Sequence, residues 1–214
     1  MIFYATTLSS YSAKVRIALQ YKDLSYEEIA PPGGYRSESY LQLVPMGSVP
    51  ALMVNGQVFS ESEVILEYLE ERFPAPNMLP LDLMDRARTR FYARFHDLYF
   101  EPLVRNLFSQ VNPSKRNPAV VGKTRLALMN RFEQMNSWPT ELFQFNRPTI
   151  SLADCGFLVN IPLASTLLQA CGEDGHVPER WLHWWQFGHQ IPAVVTALAP
   201  WKLATKEWIS SQTS

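Results

Sequence analysis

The pattern of apolar and polar positions divides this chain into two unlike halves. Residues 2–6 form a short apolar run of β type that ends in threonine, and residues 12–22 carry apolar side chains at helical spacing. Residues 25–29 alternate as a strand does, and Pro31-Pro32-Gly33-Gly34 breaks the run. A short helix is predicted over 38–43. Residues 51–54 and 57–60 flank Asn55-Gly56, a hairpin signal because both turn positions tolerate positive φ. Residues 61–73 read as an amphipathic helix. Val64, Ile65, Tyr68 and Leu69 share one face, and Glu63, Glu67, Glu70 and Glu71 lie around the other. Pro74, Pro76 and Pro80 then close the first half. Beyond them no strand pattern recurs; residues 85–111, 119–137, 152–171, 179–188 and 193–199 all read as helices. The predicted order is βαβ, a short helix, ββα, a linker and an all-helical domain.

Composition narrows the class. The chain has 214 residues, 47% hydrophobic and 18% charged, ordinary values for a globular protein able to bury a core. A net charge of −1 supplies no basic field for a phosphate backbone, so no nucleic-acid partner is expected. Charge is unevenly spread: residues 1–80 hold five Lys or Arg against nine Asp or Glu, and residues 81–214 hold fourteen against eleven. Two cysteines exclude a disulfide-stapled scaffold. The opening MIFYATTLSS lacks the basic and apolar blocks of a signal peptide, and no lipidation motif is present. The longest apolar candidate, 157–168, is interrupted by Asn160 and Pro162, short of the ~18 residues of a spanning helix. A cytoplasmic protein with no membrane partner is expected.

Several chemical signals have bland readings. Gly122-Lys123-Thr124 lacks the upstream glycine and strand of a phosphate loop. Cys155 and Cys171, sixteen residues apart in one predicted helix, would sit ~24 Å apart along its axis, too far for a disulfide. They and His96, His176, His183 and His189 show no zinc-type spacing, so no metal is expected; buried cysteines and surface or capping histidines are. Ser151-Leu152-Ala153-Asp154 is a capping box. Arg86, Arg90 and Arg94 repeat on one helix face and repel modestly, which an acidic surface such as 61–73 would relieve. The tryptophans at 181, 184, 185, 201 and 208 read as packing residues. Ser9-Ser10-Tyr11-Ser12 differs. It lies between the first strand and a helix N-terminus, where free N–H groups and the helix dipole favour negative charge. Capping by Ser10 or Ser12 needs only one hydroxyl and leaves the others available.

The order of elements and three motifs resemble the soluble glutathione transferases, over nearly the whole chain. Residues 9–19 (SSYSAKVRIAL) are similar to the active-site loop and first helix of zeta-class and bacterial serine-type members, whose catalytic serine aligns with Ser9. Residues 45–52 (PMGSVPAL) resemble the loop in which a cis-proline, here Pro50, presents the Val49 backbone to glutathione. Glu61-Ser62, opening a helix that ends YLEERFP, resembles the pair that grips the γ-glutamyl end. The resemblance implies a thioredoxin-like α/β domain over 1–76, a linker over 77–84 and an all-α domain over 85–214. It implies Ser9 or Ser10 as the thiol-activating residue with Ser12 as the cap, Ser48, Val49, Pro50, Glu61, Ser62 and Arg36 around glutathione, and Leu8, Tyr11 and Tyr99 around an electrophile. Glutathione is then a co-substrate, the partner a small electrophile, and the assembly a homodimer in which 61–73 of one copy faces 85–111 of the other.

The residue types suit that chemistry. A free cysteine thiol has a pKa of ~8.5, and one hydroxyl hydrogen bond at a helix N-terminus lowers it. A Glu61 carboxylate pairs with an ammonium, and Ser62 at a helix start suits a carboxylate. Ser9-Ser10-Tyr11-Ser12 stands where glutaredoxin-like proteins carry C-P-Y-C, so dithiol exchange is not expected. Tyr11 replaces the zeta-type cysteine. The rival expectation is a non-catalytic binding protein on the same fold, since residues 61–74 also resemble the stringent starvation protein A group.

Overall fold

Four short strands, β1 (Ile2–Tyr4), β2 (Glu27–Ile29), β3 (Ala51–Val54) and β4 (Gln57–Ser60), form one sheet in the order β2-β1-β3-β4 in a computed structural model that describes residues 1–138 and 149–213. β1 runs parallel to β2 and antiparallel to β3. The Asn55-Gly56 turn joins β3 to β4 with both residues at positive φ, as the sequence requires. A parallel pair needs a crossover, and α1 (Ser10–Tyr21) supplies it.

Alternation along β1 sends Phe3 and Ala5 into the main core and Tyr4 to the opposite face. There Tyr4 meets Tyr40, Val44 and Ala51 in a small second core under α2 (Glu38–Leu43). α1 lies on the main-core face beside α3 (Ser62–Arg72) and is buried almost all round, from Ser12 to Leu19. A helix buried all round has structure on every side. Here the neighbours are α3, α7 (Leu152–Ala170) and α9 (Pro192–Thr213), each packed directly on α1.

The Pro-rich stretch after α3 is pinned by charge. Lys22, buried, bonds Glu70 at 2.7 Å and the Phe73 and Pro76 carbonyls. Glu70 in turn accepts the Met78 and Leu79 N–H groups, and Leu152 N–H donates to the Met78 carbonyl. One lysine–glutamate pair therefore sets where α7 begins. The capping box expected at Ser151 and Asp154 is present. α7 is long and apolar enough to cross a membrane by length and composition, but 78% of that stretch is buried within the protein.

Two predicted helices differ from the structure. The stretch expected as one helix over 85–111 is α4 (Leu83–Phe95), a π-helical turn His96–Phe100 and α5 (Glu101–Phe108). Pro102 has no N–H to continue the α ladder, and Glu101 N–H reaches back five residues to the His96 carbonyl. The helix expected to stop at 199 runs on through Pro200 to Thr213. The buried Trp201 and Thr205, and Trp208 against Phe108 at 5.0 Å, hold the helix past the missing hydrogen bond. Between these lie α6 (Pro118–Asn136) and α8 (Glu179–Gly188), close to their predicted positions.

Candidate active site

Strand register brings three separated segments to one place. Tyr4 pairs with Ala51, and Ala51 with Ser60. The residues after Tyr4, before Ala51 and after Ser60 therefore leave the sheet at the same end. These are the loop carrying Leu8 and Ser9, the Val49-Pro50 pair, and Glu61-Ser62.

Ser9 is the N-cap of α1. Its Oγ accepts from Ser12 N–H at 3.1 Å, which satisfies one of the helix's free donors and leaves its own O–H proton to be donated elsewhere. This corrects the expectation that Ser12 is the cap. Ser12 is fully buried one turn further in, its Oγ without a partner among the described residues. Ser10 is also buried, in the first turn. Leu8 is half-buried in the preceding loop.

The second segment is held from beneath. Tyr40 Oη donates to the Ser48 carbonyl at 2.7 Å, and the Val49-Pro50 bond is cis. Ser48 Oγ is buried and meets no partner among the described residues. Gly47 has φ +59, and a Cβ there would sit 3.0 Å from Arg36 Cγ and Leu41 Cδ2. Only glycine lets the exposed Arg36 lay its stem against this loop, with its guanidinium 5.3 Å over the Tyr35 ring.

In the third segment Glu61 has φ +76, unusual for a residue with a Cβ, and makes no capping bond with its exposed carboxylate. Ser62, buried, opens α3, so the uncapped N–H groups of that helix begin here.

Tyr11 is committed across the molecule. Its hydroxyl donates to Glu101 Oε2 at 3.0 Å, and Glu101 also holds Arg105, whose guanidinium lies 5.3 Å over the Tyr11 ring. Burial and the Glu101 carboxylate push the phenol well above its ordinary pKa. Tyr11 is thus a neutral wall whose proton is already spent. Tyr99, on the π-helical turn, is half-exposed beside Phe95 and under Arg131.

Behind the serines lies a buried polar chain that the sequence pattern did not single out. Lys14 Nζ bonds Glu63 at 2.7 Å and Asp97 at 3.0 Å; Asp97 meets His96 Nδ1 at 2.8 Å, and His96 Nε2 meets Asn160 Nδ2 at 2.9 Å. The geometry fits Nδ1–H donating to Asp97 and Nε2 accepting from Asn160. Burial would raise the Asp97 carboxyl, but the His96 bond and the Lys14 ammonium outweigh it and hold it near about 2. Burial would likewise lower Lys14, yet Glu63 and Asp97 carry it above its usual value. His96 is therefore not the surface or capping histidine expected; a Cβ on Gly156 would come within 2.6 Å of its ring. The available signal was a lysine inside the apolar run Ala13–Leu19, where only a paired cation can sit.

The arginine face meets the acidic surface expected of it, within one chain. Arg90 bonds Glu67 of the same chain through both Nε and a terminal nitrogen, at 2.7 and 2.8 Å, so no second copy is needed to neutralise it. Both cysteines are buried and free. Among the described residues no group of three or more metal-ligating side chains converges.

Comparison with known proteins bears on the fold and the family of the first half. Residues 3–77 match the family described as glutathione S-transferase, N-terminal domain. A maleylacetoacetate isomerase from Pseudomonas aeruginosa is 41% identical over 109 residues, 48% of this chain and 51% of that protein. A probable glutathione S-transferase from Nicotiana tabacum is 33% identical over 64% of this chain and 62% of its own length. The chain thus matches about half to three-fifths of these relatives. A bacterial zeta-class maleyl pyruvate isomerase in its holo form shares the fold, with a TM-score of 0.76 over 94% of this chain and 97% of that one at 24% identity.

Proposed function

We propose, on the premise that residues 3–77 belong to the glutathione S-transferase N-terminal domain family, that the protein is a glutathione transferase. It binds glutathione at the end of its sheet, stabilises the thiolate, and conjugates it to a small electrophile or uses it to isomerise one. One observation carries this reading. Ser9 caps α1 with its oxygen while keeping its proton, beside Val49-Pro50 and Glu61-Ser62 at the same sheet end.

Each residue then has a task. The Ser9 O–H donates to the cysteinyl sulfur, and the α1 N-terminus favours the negative charge; the thiol proton leaves to solvent. Ser10, adjacent, is the second candidate for this donor. Val49 offers strand-like backbone bonds to the cysteinyl unit, and Pro50 fixes its direction. Glu61 pairs with the γ-glutamyl ammonium, while Ser62 and the opening N–H groups of α3 take the neighbouring carboxylate. Arg36 takes the glycyl carboxylate, and Ser48, whose carbonyl Tyr40 holds, lies in the loop beside the peptide. Leu8, Tyr11 and Tyr99 wall the electrophile side. The glutathione-binding unit covers 1–76 and the helical unit 85–214, joined by 77–84. The working form is a cytoplasmic homodimer.

Isothermal calorimetry with reduced glutathione tests the reading. Saturable binding, with a thiolate absorbance band at neutral pH, is expected. No binding at millimolar glutathione would overturn it. Nothing in the comparisons favours the non-catalytic, stringent-starvation-like alternative.

A further inference from the structure

We propose that Glu101 sets the specificity of the electrophile side: its buried carboxylate cancels the charge of Arg105, so the site takes an uncharged electrophile and turns away one that carries a carboxylate. The proposal rests on the transferase reading, which places Tyr11 on that side. Three groups meet there. The Tyr11 hydroxyl donates to Glu101 Oε2 at 3.0 Å, and Arg105 donates to the same carboxylate through Nε and a terminal nitrogen. The guanidinium lies 5.3 Å over the Tyr11 ring. More than half of the Arg105 side chain is exposed, whereas Glu101 is 3% exposed.

Alone, an exposed guanidinium over an aromatic wall would anchor a carboxylate, because its planar N–H fork fits two oxygens at once. Here the Nε edge of that fork is already filled by a carboxylate of the same chain. Glu101 cannot turn away to make room: it is enclosed, and Tyr11 binds it as well. Burial works against the charge on Arg105, but the Glu101 carboxylate outweighs it, so the guanidinium stays protonated and paired. The wider field points the same way. Among the described residues, the charges acting on Tyr11 are the carboxylates of Glu101 and Asp97 and the guanidinium of Arg105, two negative against one positive. Asp97 is paired with Lys14, which Glu63 shares, so among these groups no cation is left over to receive an incoming anion. A carboxylate on the electrophile would lose its water beside a like charge and gain no unpaired partner. An uncharged body meets Leu8 and the neutral Tyr11 ring at no such cost.

Two glutathione conjugates test this, since they share the tripeptide and differ only on the electrophile side: S-benzylglutathione and S-(4-carboxybenzyl)glutathione. In calorimetry on the full chain, the benzyl conjugate should bind about tenfold tighter or more, the scale of one like-charge contact. Glu101→Gln keeps the shape and an oxygen for Tyr11 but removes the charge, and should close or reverse that gap. Arg105→Met changes an exposed position, so it should fold even if the buried variant does not, and it should widen the gap by leaving Glu101 uncancelled. Equal or tighter binding of the carboxybenzyl conjugate by the wild type would overturn the proposal. So would an unchanged ratio in Glu101→Gln, or one that Arg105→Met fails to widen. Those results leave the transferase reading standing. Absence of binding by glutathione and by both conjugates would overturn that reading, and this proposal with it.

Discussion

At the scale of single residues, Ser9 carries two duties that substitution can separate. Its oxygen caps α1 and its proton is free, so Ser9→Ala should cost ~1 kcal/mol of stability through the lost cap. It should also raise the pKa of bound glutathione by about one unit or more, and turnover at neutral pH should fall accordingly. Glutathione affinity should change only a few-fold, roughly, because the other segments do the gripping. Thiolate absorbance against pH, measured beside Ser10→Ala, decides which hydroxyl faces the sulfur; a wild-type titration in Ser9→Ala would remove Ser9 from the chemistry. Glu61 poses the opposite case. Its exposed carboxylate makes no capping bond, so Glu61→Gln should leave thermal stability unchanged and weaken glutathione by ~2 kcal/mol or more. Unchanged affinity by calorimetry would exclude it from the site. The motif order showed where these residues fall in the chain. That the cap is Ser9 and not Ser12 depended on where the helix begins, a detail set by one hydrogen bond.

At the scale of elements, the Lys14 chain joins four of them. α1 supplies Lys14, α3 supplies Glu63, the π-helical turn supplies His96 and Asp97, and α7 supplies Asn160. Removing the cation leaves the largely buried Glu63 and Asp97 carboxylates facing each other, with only the more distant Arg94 at 3.7 Å from Asp97, so Lys14→Met should destabilise by ~3 kcal/mol in urea unfolding. A loss below ~1 kcal/mol would mean the chain is solvated. Acid should act on the same group. The Asp97 carboxyl is held near about 2 against an ordinary 3.8, so the folded state binds its proton more weakly than the unfolded state. Its contribution is complete above the ordinary value and is lost as pH falls through the folded one. The stability lost between about pH 4 and pH 2 should therefore shrink in Asp97→Asn. Periodicity located the helices but missed the π-helical turn, because one inserted residue in the run 85–111 is too local a change for a helical period to register. It also ended α9 at Pro200, since a local rule cannot register the packing of Trp201 and Trp208.

For the whole molecule, the uneven spread of charge between the two halves suits two copies meeting head to tail. The Arg90–Glu67 pair lies within one chain, partly exposed on both sides, so Arg90→Glu should cost no more than ~1 kcal/mol and is no test of assembly. Exposed apolar side chains on the outer side of α4, among them Leu83, Met84 and Phe91, are the better ground for a dimer. Sedimentation at micromolar concentration should show a species of twice the 24.5 kDa chain mass, and Phe91→Glu should shift it toward the single chain. A single-chain species alone would end the dimer reading.

Local pattern was enough to determine the hairpin, the order βαβ then ββα, the helical second half and the α7 cap. Each depends on residues within a few positions of one another, where turn chemistry and helical period act directly. What local pattern could not settle was which distant charges meet. Lys14 with Asp97 and Lys22 with Glu70 join positions far apart in the chain, and no spacing rule pairs them. Burial decided those pairings: once α1 is enclosed on every side, each charge it carries inward needs an opposite partner, and only the packed helices determine which one is there.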